Sequence, residues 1–119
     1  VVVNVYNVSK VEITNYGVIQ QIGVNGTNAK TVLITNYPAA IITNTDLLFD
    51  EAVSVDVFNE GAMDTVNVRA SYANYFKLGV WQNAKLNNSD LYVSNAENAT
   101  VSNAFLMDNV NIHATNASN

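Results

Sequence analysis

Few side chains in this sequence could carry out covalent or coordination chemistry. His113 is the single histidine and there is no cysteine. Disulfides, thiolate metal sites and cysteine nucleophiles are therefore excluded together. A Ser-His-Asp arrangement would have to use His113, which falls on the polar phase of an alternating run, with Asn109 and Asn111 and against Val110 and Ile112. It reads as a surface histidine, and no catalytic residue is expected. Ten acids are present, but no pair is spaced for glycoside hydrolysis, and neighbours such as Asp50 and Glu51 would point apart on a strand. Asp46, Asp50 and Glu51, with the Asn44 amide, are the one group that could offer calcium several oxygens from one loop. They lack EF-hand spacing, so a solvated acidic loop is expected, with no metal and no cofactor.

Modification chemistry is better represented. Asn7, Asn25, Asn87, Asn98 and Asn116 each open an Asn-x-Ser/Thr sequon, so N-glycans are the one covalent addition the sequence suggests. The chain holds twenty Asn, and its Ser and Thr content gives roughly two or three such triplets by chance. Five is a modest excess. Tyr72, Tyr75, Phe76 and Trp81 cluster in sequence. Exposed rings there would suit a carbohydrate-binding face, but Trp81 is expected in the core.

The elements that must position these groups are strands. Val11 and Ile13 alternate with Lys10, Glu12 and Thr14; Val53, Val55 and Val57 with Ser54, Asp56 and Phe58; Val66, Val68, Ala70 and Tyr72 with Thr65, Asn67, Arg69 and Ser71. A period of two with β-branched residues on the apolar phase marks half-buried strands. A fourteen-residue pattern occurs twice, Val11–Val24 and Val55–Val68, each with Asn-x-Gly between two strand-like runs, and Ile34-Thr35-Asn36-Tyr37 forms a partial third copy ended by Pro38. Asn-x-Gly and Asn25-Gly26 read as reversing turns. Short helical turns are the only helix expected, at 44–52 and 104–107. The predicted fold is all-β: an antiparallel two-sheet sandwich, Ig-like or jelly-roll, of 7–9 strands in one domain over residues 1–119.

Composition narrows the setting. Charged residues are only 13% of the chain and the net charge is −5. Five scattered Lys and Arg cannot neutralise a phosphate backbone, so nucleic acid is not expected as a partner. No apolar run is long enough to span a bilayer. A surface polar through Asn, Ser and Thr suits an extracellular, cell-surface protein, and a chain opening on Val1 without a leader is expected to have had its signal peptide removed or left out. The first eight residues form an apolar strand with no turn before it. Exposed, it would be an aggregation hazard; it either pairs within its own domain or is exchanged as a donor strand, with Val1, Val3 and Val5 as the plugs.

Val55-Asp56-Val57-Phe58-Asn59-Glu60-Gly61-Ala62-Met63-Asp64-Thr65-Val66-Asn67-Val68 resembles a strand-Asn-x-Gly-strand stretch of secreted fibre proteins of the TasA/camelysin type and, more loosely, of archaeal bundling pili and threads. The resemblance implies an Ig-like β-sandwich, export, often glycosylation, and polymerisation by donor-strand complementation. The expected function is thus a non-enzymatic structural subunit of an extracellular filament, a pilus or biofilm fibre, whose partners are copies of itself. The alternative is a glycan- or protein-binding adhesion module of a cell-surface or virion protein.

Overall fold

The computed structural model describes residues 2–116, and every regular element in them is a strand. In chain order these are β1 Val2–Tyr6, β2 Lys10–Asn15, β3 Val18–Gln20, β4 Gly23–Thr27, β5 Thr31–Asn36, β6 Ile41–Asp50, β7 Ser54–Asn59, β8 Ala62–Ser71, β9 Tyr75–Val80, β10 Lys85–Asn87, β11 Asp90–Ser94, β12 Asn98–Asn103, β13 Leu106–Asp108 and β14 Asn111–Thr115. All pairings among them are parallel.

The pairing follows one rule. Lys10 sits beside Thr31, Thr31 beside Ser54, Ser54 beside Tyr75 and Tyr75 beside Asn98. Each coil of chain therefore lies on the one before it, offset by 21 or 23 residues in turn. The result is a three-sided parallel β-solenoid of about five turns. Face one stacks β1, β4, the second half of β6, the second half of β8, β11 and β14. Face two stacks β2, β5, β7, β9 and β12. Face three stacks β3, the first parts of β6 and β8, β10 and β13.

The expected antiparallel sandwich, Ig-like or jelly-roll, is overturned by this register. The alternation marks the buried side of the strands, except that Val53 and Tyr72, on the apolar phase, stand exposed at corners beyond the strand ends; the connections differ. Asn15-Tyr16-Gly17 and Asn59-Glu60-Gly61 do not reverse the chain. They turn it through a corner, and the next strand runs on along another face. Period-two patterning reports only that one side of a strand is buried, and it is the same for a hairpin and for a coil. The twin segments are the same part of two coils, two turns apart: Val11 pairs with Val32 and Val32 with Val55. The partial copy at Ile34–Tyr37 is the coil between them. The expected helical turn at 44–52 lies within β6 and at its end, the one at 104–107 leads into β13, and Asn25-Gly26 lies inside β4.

Corners replace the expected glycine turns. None of the described glycines has positive φ. The left-handed positions are single residues stacked in columns: Asn7, Asn28, Glu51, Tyr72, Asn95 and Asn116 between faces one and two, and Gln21, Asn44, Thr65, Asn88 and Asn109 between faces three and one. Asn is the residue that tolerates this conformation best after glycine, which accounts for much of the Asn content. The third corner alternates in length. Asn-x-Gly serves the short form. The long form is a turn closed by Ala40 N–H to the Tyr37 carbonyl and by Ala84 N–H to the Trp81 carbonyl, each at 3.0 Å, with Ala39 and Asn83 at positive φ. Those two extra residues produce the 21/23 alternation.

The core is a set of inward columns. Val11, Val32, Val55 and Phe76 form one, and Ile13, Ile34, Val57 and Leu78 another. Large and small residues complement each other down a third, where the Phe49 ring lies over Gly26 and is followed by Ala70. Asn15, Asn36 and Asn59 occupy inward positions at the third corner and are buried. Asn15 Nδ2 donates to Asn36 Oδ1 and Asn36 Nδ2 to Asn59 Oδ1, both at 2.9 Å. This ladder satisfies its own amides and ties each corner to the next coil, as buried polar groups require.

Candidate functional site

Outward side chains on face two also form columns. One of them runs Thr14, Thr35, Phe58, Gly79 and Ser102. Gly79 leaves a gap in it. A Cβ built there would lie 3.4 Å from Trp81 Nε1 and 3.6 Å from Phe58 Cδ1, so the indole of the long corner leans over the glycine. Between the Phe58 and Trp81 rings is an open cleft of about 290 Å³, lined also by Lys77, Ser102 and Asn103. Trp81 is 53% exposed, contrary to the expectation that it packs in the core. It occupies a corner position, beyond the inward Val80. Lys77 Nζ stands 5.6 Å from the Phe58 ring centre, a cation–π distance. Tyr75 and Tyr72 are exposed nearby in sequence, while Phe76 is buried.

Phe58 and Gly79 were not singled out from the sequence. The available signal was a glycine inside a strand pattern, which marks close approach of another group. Phe58 becomes its neighbour only through the coil offset. A second cavity, about 180 Å³, lies inside the first coils and is lined by apolar side chains and Thr45. The Thr45 hydroxyl, the one polar side chain in that lining, donates to the Thr43 carbonyl at 2.9 Å.

The other predicted positions are dispersed. Val3 and Val5 lie in β1, which pairs in register with β4 of the same chain; Val1 lies outside the described residues. Asn7 and Asn116 stand at corners and are exposed, and Asn116 lies next to residues outside the described range. Asn25 and Asn98 lie on strands rather than loops, and Asn25 Nδ2 donates to Asn4 Oδ1 at 2.8 Å. Asn87 ends β10 with its Oδ1 buried, and the Ser89 hydroxyl of that sequon is engaged, donating to the Asn87 carbonyl at 2.6 Å and accepting from Val66 N–H. Asp46 and Asp50 are four residues apart on an extended strand, about 13 Å, and Glu51 stands at the corner beyond. Among the described residues no three His, Asp or Glu come together as a metal group. Asp46 instead accepts from Asn67 Nδ2 at 2.8 Å. His113 stacks on Tyr92 with centroids 4.6 Å apart, and Arg69, the other neighbour of Tyr92 in that column, has its guanidinium 4.8 Å from the Tyr92 ring centre.

Tyr16 and Tyr37 stack at the third corner, 4.3 Å between centroids. The hydrogen bond with Tyr16 holds the Tyr37 phenol above the ordinary tyrosine range. No helix among the described residues is long and apolar enough to cross a membrane. Neither a family model, nor a curated protein, nor a solved structure matches this chain.

Proposed function

We propose that this chain is a non-enzymatic structural unit of an extracellular filament, built along the solenoid axis from copies of itself. The observation that supports this reading is the direction of its hydrogen bonding. In a parallel solenoid every strand bonds to the coil before and the coil after, so any further coil is added along one axis. The inward columns continue to both outer rows of the described residues, where Val3 is 45%, Val101 37% and Ile112 48% exposed. Such rows are templates for another set of parallel strands. The donor segment then takes a new form: β1 stays in its own coil and its outer edge receives β14 of a second copy, with Val3 meeting the Ile112 column.

Purified chain concentrated stepwise and followed by light scattering and electron microscopy tests this. Filaments with a repeat of about 4.8 Å along the axis are expected, and the pair Val3→Lys with Ile112→Lys should suppress them. Wild-type chain that stays monomeric at every concentration, or a double variant that polymerises equally well, would sink the proposal.

A further inference from the structure

We infer that the cleft between Phe58 and Trp81 is a sugar-binding site, taking one pyranose ring of a glycan. This goes beyond the filament reading: the cleft lies on the flank of the solenoid, and although Ser102 and Asn103 on its rim belong to β12, the outermost strand of face two, sugar titration of unassembled chain tests it apart from polymerisation.

Three observations carry it. First, Gly79 carries no side chain in a column otherwise made of Thr14, Thr35, Phe58 and Ser102, which lets the Trp81 indole lie over it beside Phe58 at the wall of the cleft. Second, its walls are aromatic. Trp81 is half exposed at its corner, and its indole Nε1 and the Phe58 ring both stand close to the Cβ position of Gly79. Third, the rim is polar: Lys77, Ser102 and Asn103 line the same cleft. Flat apolar walls with a few placed polar groups are how small-ligand sites are built. A pyranose offers the complement, C–H groups on its faces for the rings and hydroxyls around its edge for the amine, hydroxyl and amide.

Other occupants fit less well. Lys77 beside Phe58 opposes a cationic ligand. The net charge of −5 opposes a nucleic-acid strand. A peptide added as a strand needs an unpaired sheet edge, whereas β9 under the cleft is paired on both sides, to β7 and β12.

Trp81 is the only tryptophan, so its emission reports on the cleft directly. The experiment titrates the intact chain with cello-, chito-, manno-, xylo- and galacturono-oligosaccharides, and with a proline-rich peptide as the competing class. A saturable emission change with at least one sugar is expected. Gly79→Thr, whose side chain would press on the Trp81 indole and the Phe58 ring, should weaken that sugar at least tenfold while the far-ultraviolet circular dichroism of the strands is kept. Phe58→Ser, which opens the cleft instead of filling it, should give a similar loss. A response to none of the sugars, a response to the peptide alone, or an affinity unaltered in both variants would overturn the inference.

Discussion

Asn36 is the middle rung of the buried ladder, and replacing it tests what holds the corners together. Its side chain is 0% exposed. It accepts from Asn15 Nδ2 at 2.9 Å and donates to Asn59 Oδ1 at 2.9 Å, with the Ala62 and Ala40 carbonyls at 3.1 and 3.2 Å sharing the same two hydrogens. Asn36→Val removes all of these. Several partners keep a second bond, however: Asn15 Nδ2 to the Ile41 carbonyl, Gly61 N–H to Asn59 Oδ1, and Ala62 N–H to the Ala40 carbonyl. Val80 already fills the equivalent place one coil beyond Asn59, fully buried, so the shape is accepted. At about 1 kcal/mol for each net hydrogen bond, the loss should be about 2–3 kcal/mol. Asn36→Asp keeps the size but removes both donor hydrogens and sets a carboxylate against three oxygens with no cation among its contacts. An uncompensated buried charge costs about 3–5 kcal/mol, so this variant should be the worse of the two at neutral pH. The sign of its pH dependence follows. Burial raises the introduced carboxyl's folded pKa above its unfolded value of about 3.9. The folded state then binds the proton more tightly, and stability is lost as pH rises from that value toward the folded pKa. Equilibrium denaturant unfolding followed by circular dichroism, at neutral pH and near pH 4, measures both effects. Equal midpoints for the two variants at neutral pH, or no recovery of Asn36→Asp in acid, would refute the view that the ladder acts through its donors.

Two further outcomes rest on backbone geometry. A Cβ at Gly61 would overlap the Ala40 carbonyl oxygen and lie 2.6 Å from that of Tyr37, whereas nothing stands within 4 Å of one at Gly17; Gly61→Ala should therefore cost about 3 kcal/mol or more by overpacking, and Gly17→Ala close to nothing, although both glycines belong to the same sequence motif. Thr65 is β-branched, exposed and held at φ 55° in a column that elsewhere carries Gln21, Asn44, Asn88 and Asn109; Thr65→Asn should raise stability by about 1 kcal/mol, read as a higher thermal midpoint, because the left-handed conformation is most costly for β-branched residues.

The contrast between the two glycines shows how the sequence signal was misread. Asn15-Tyr16-Gly17 and Asn59-Glu60-Gly61 look alike, and turn chemistry explains Asn-x-Gly without reference to the rest of the chain. The structure gives these residues other work. The Asn side chain turns inward to bond the next coil, and Gly61 is small because the long corner before it passes close by. The period that would have revealed the solenoid was present in Asn15, Asn36 and Asn59, and in Ala29, Ala52, Ala73 and Ala96. Its spacing alternates between 21 and 23, so only the two-coil interval of 44 residues emerged as a visible repeat. Two copies at 44 residues are matched equally well by two similar strand-turn-strand units of a sandwich.

The candidate cleft was legible only in part. Trp81 and Tyr75 drew attention as a sequence cluster, but the partner ring, Phe58, is 23 residues away from Trp81 in the chain and reaches it by stacking of coils.

By itself the sequence determined that the chain is built from strands, which phase of most of them is buried, and that no thiol chemistry is open to it. These are local or compositional properties: period two reports burial, and counts report charge and ligands. Tertiary structure alone decided that the strands run parallel, that Asn15, Asn36 and Asn59 meet, and that Gly79 opens a cleft between Phe58 and Trp81. Each of these depends on which coil lies on which, and that register is set by the summed packing of inward columns and corner hydrogen bonds over the whole stack, information that no single segment carries.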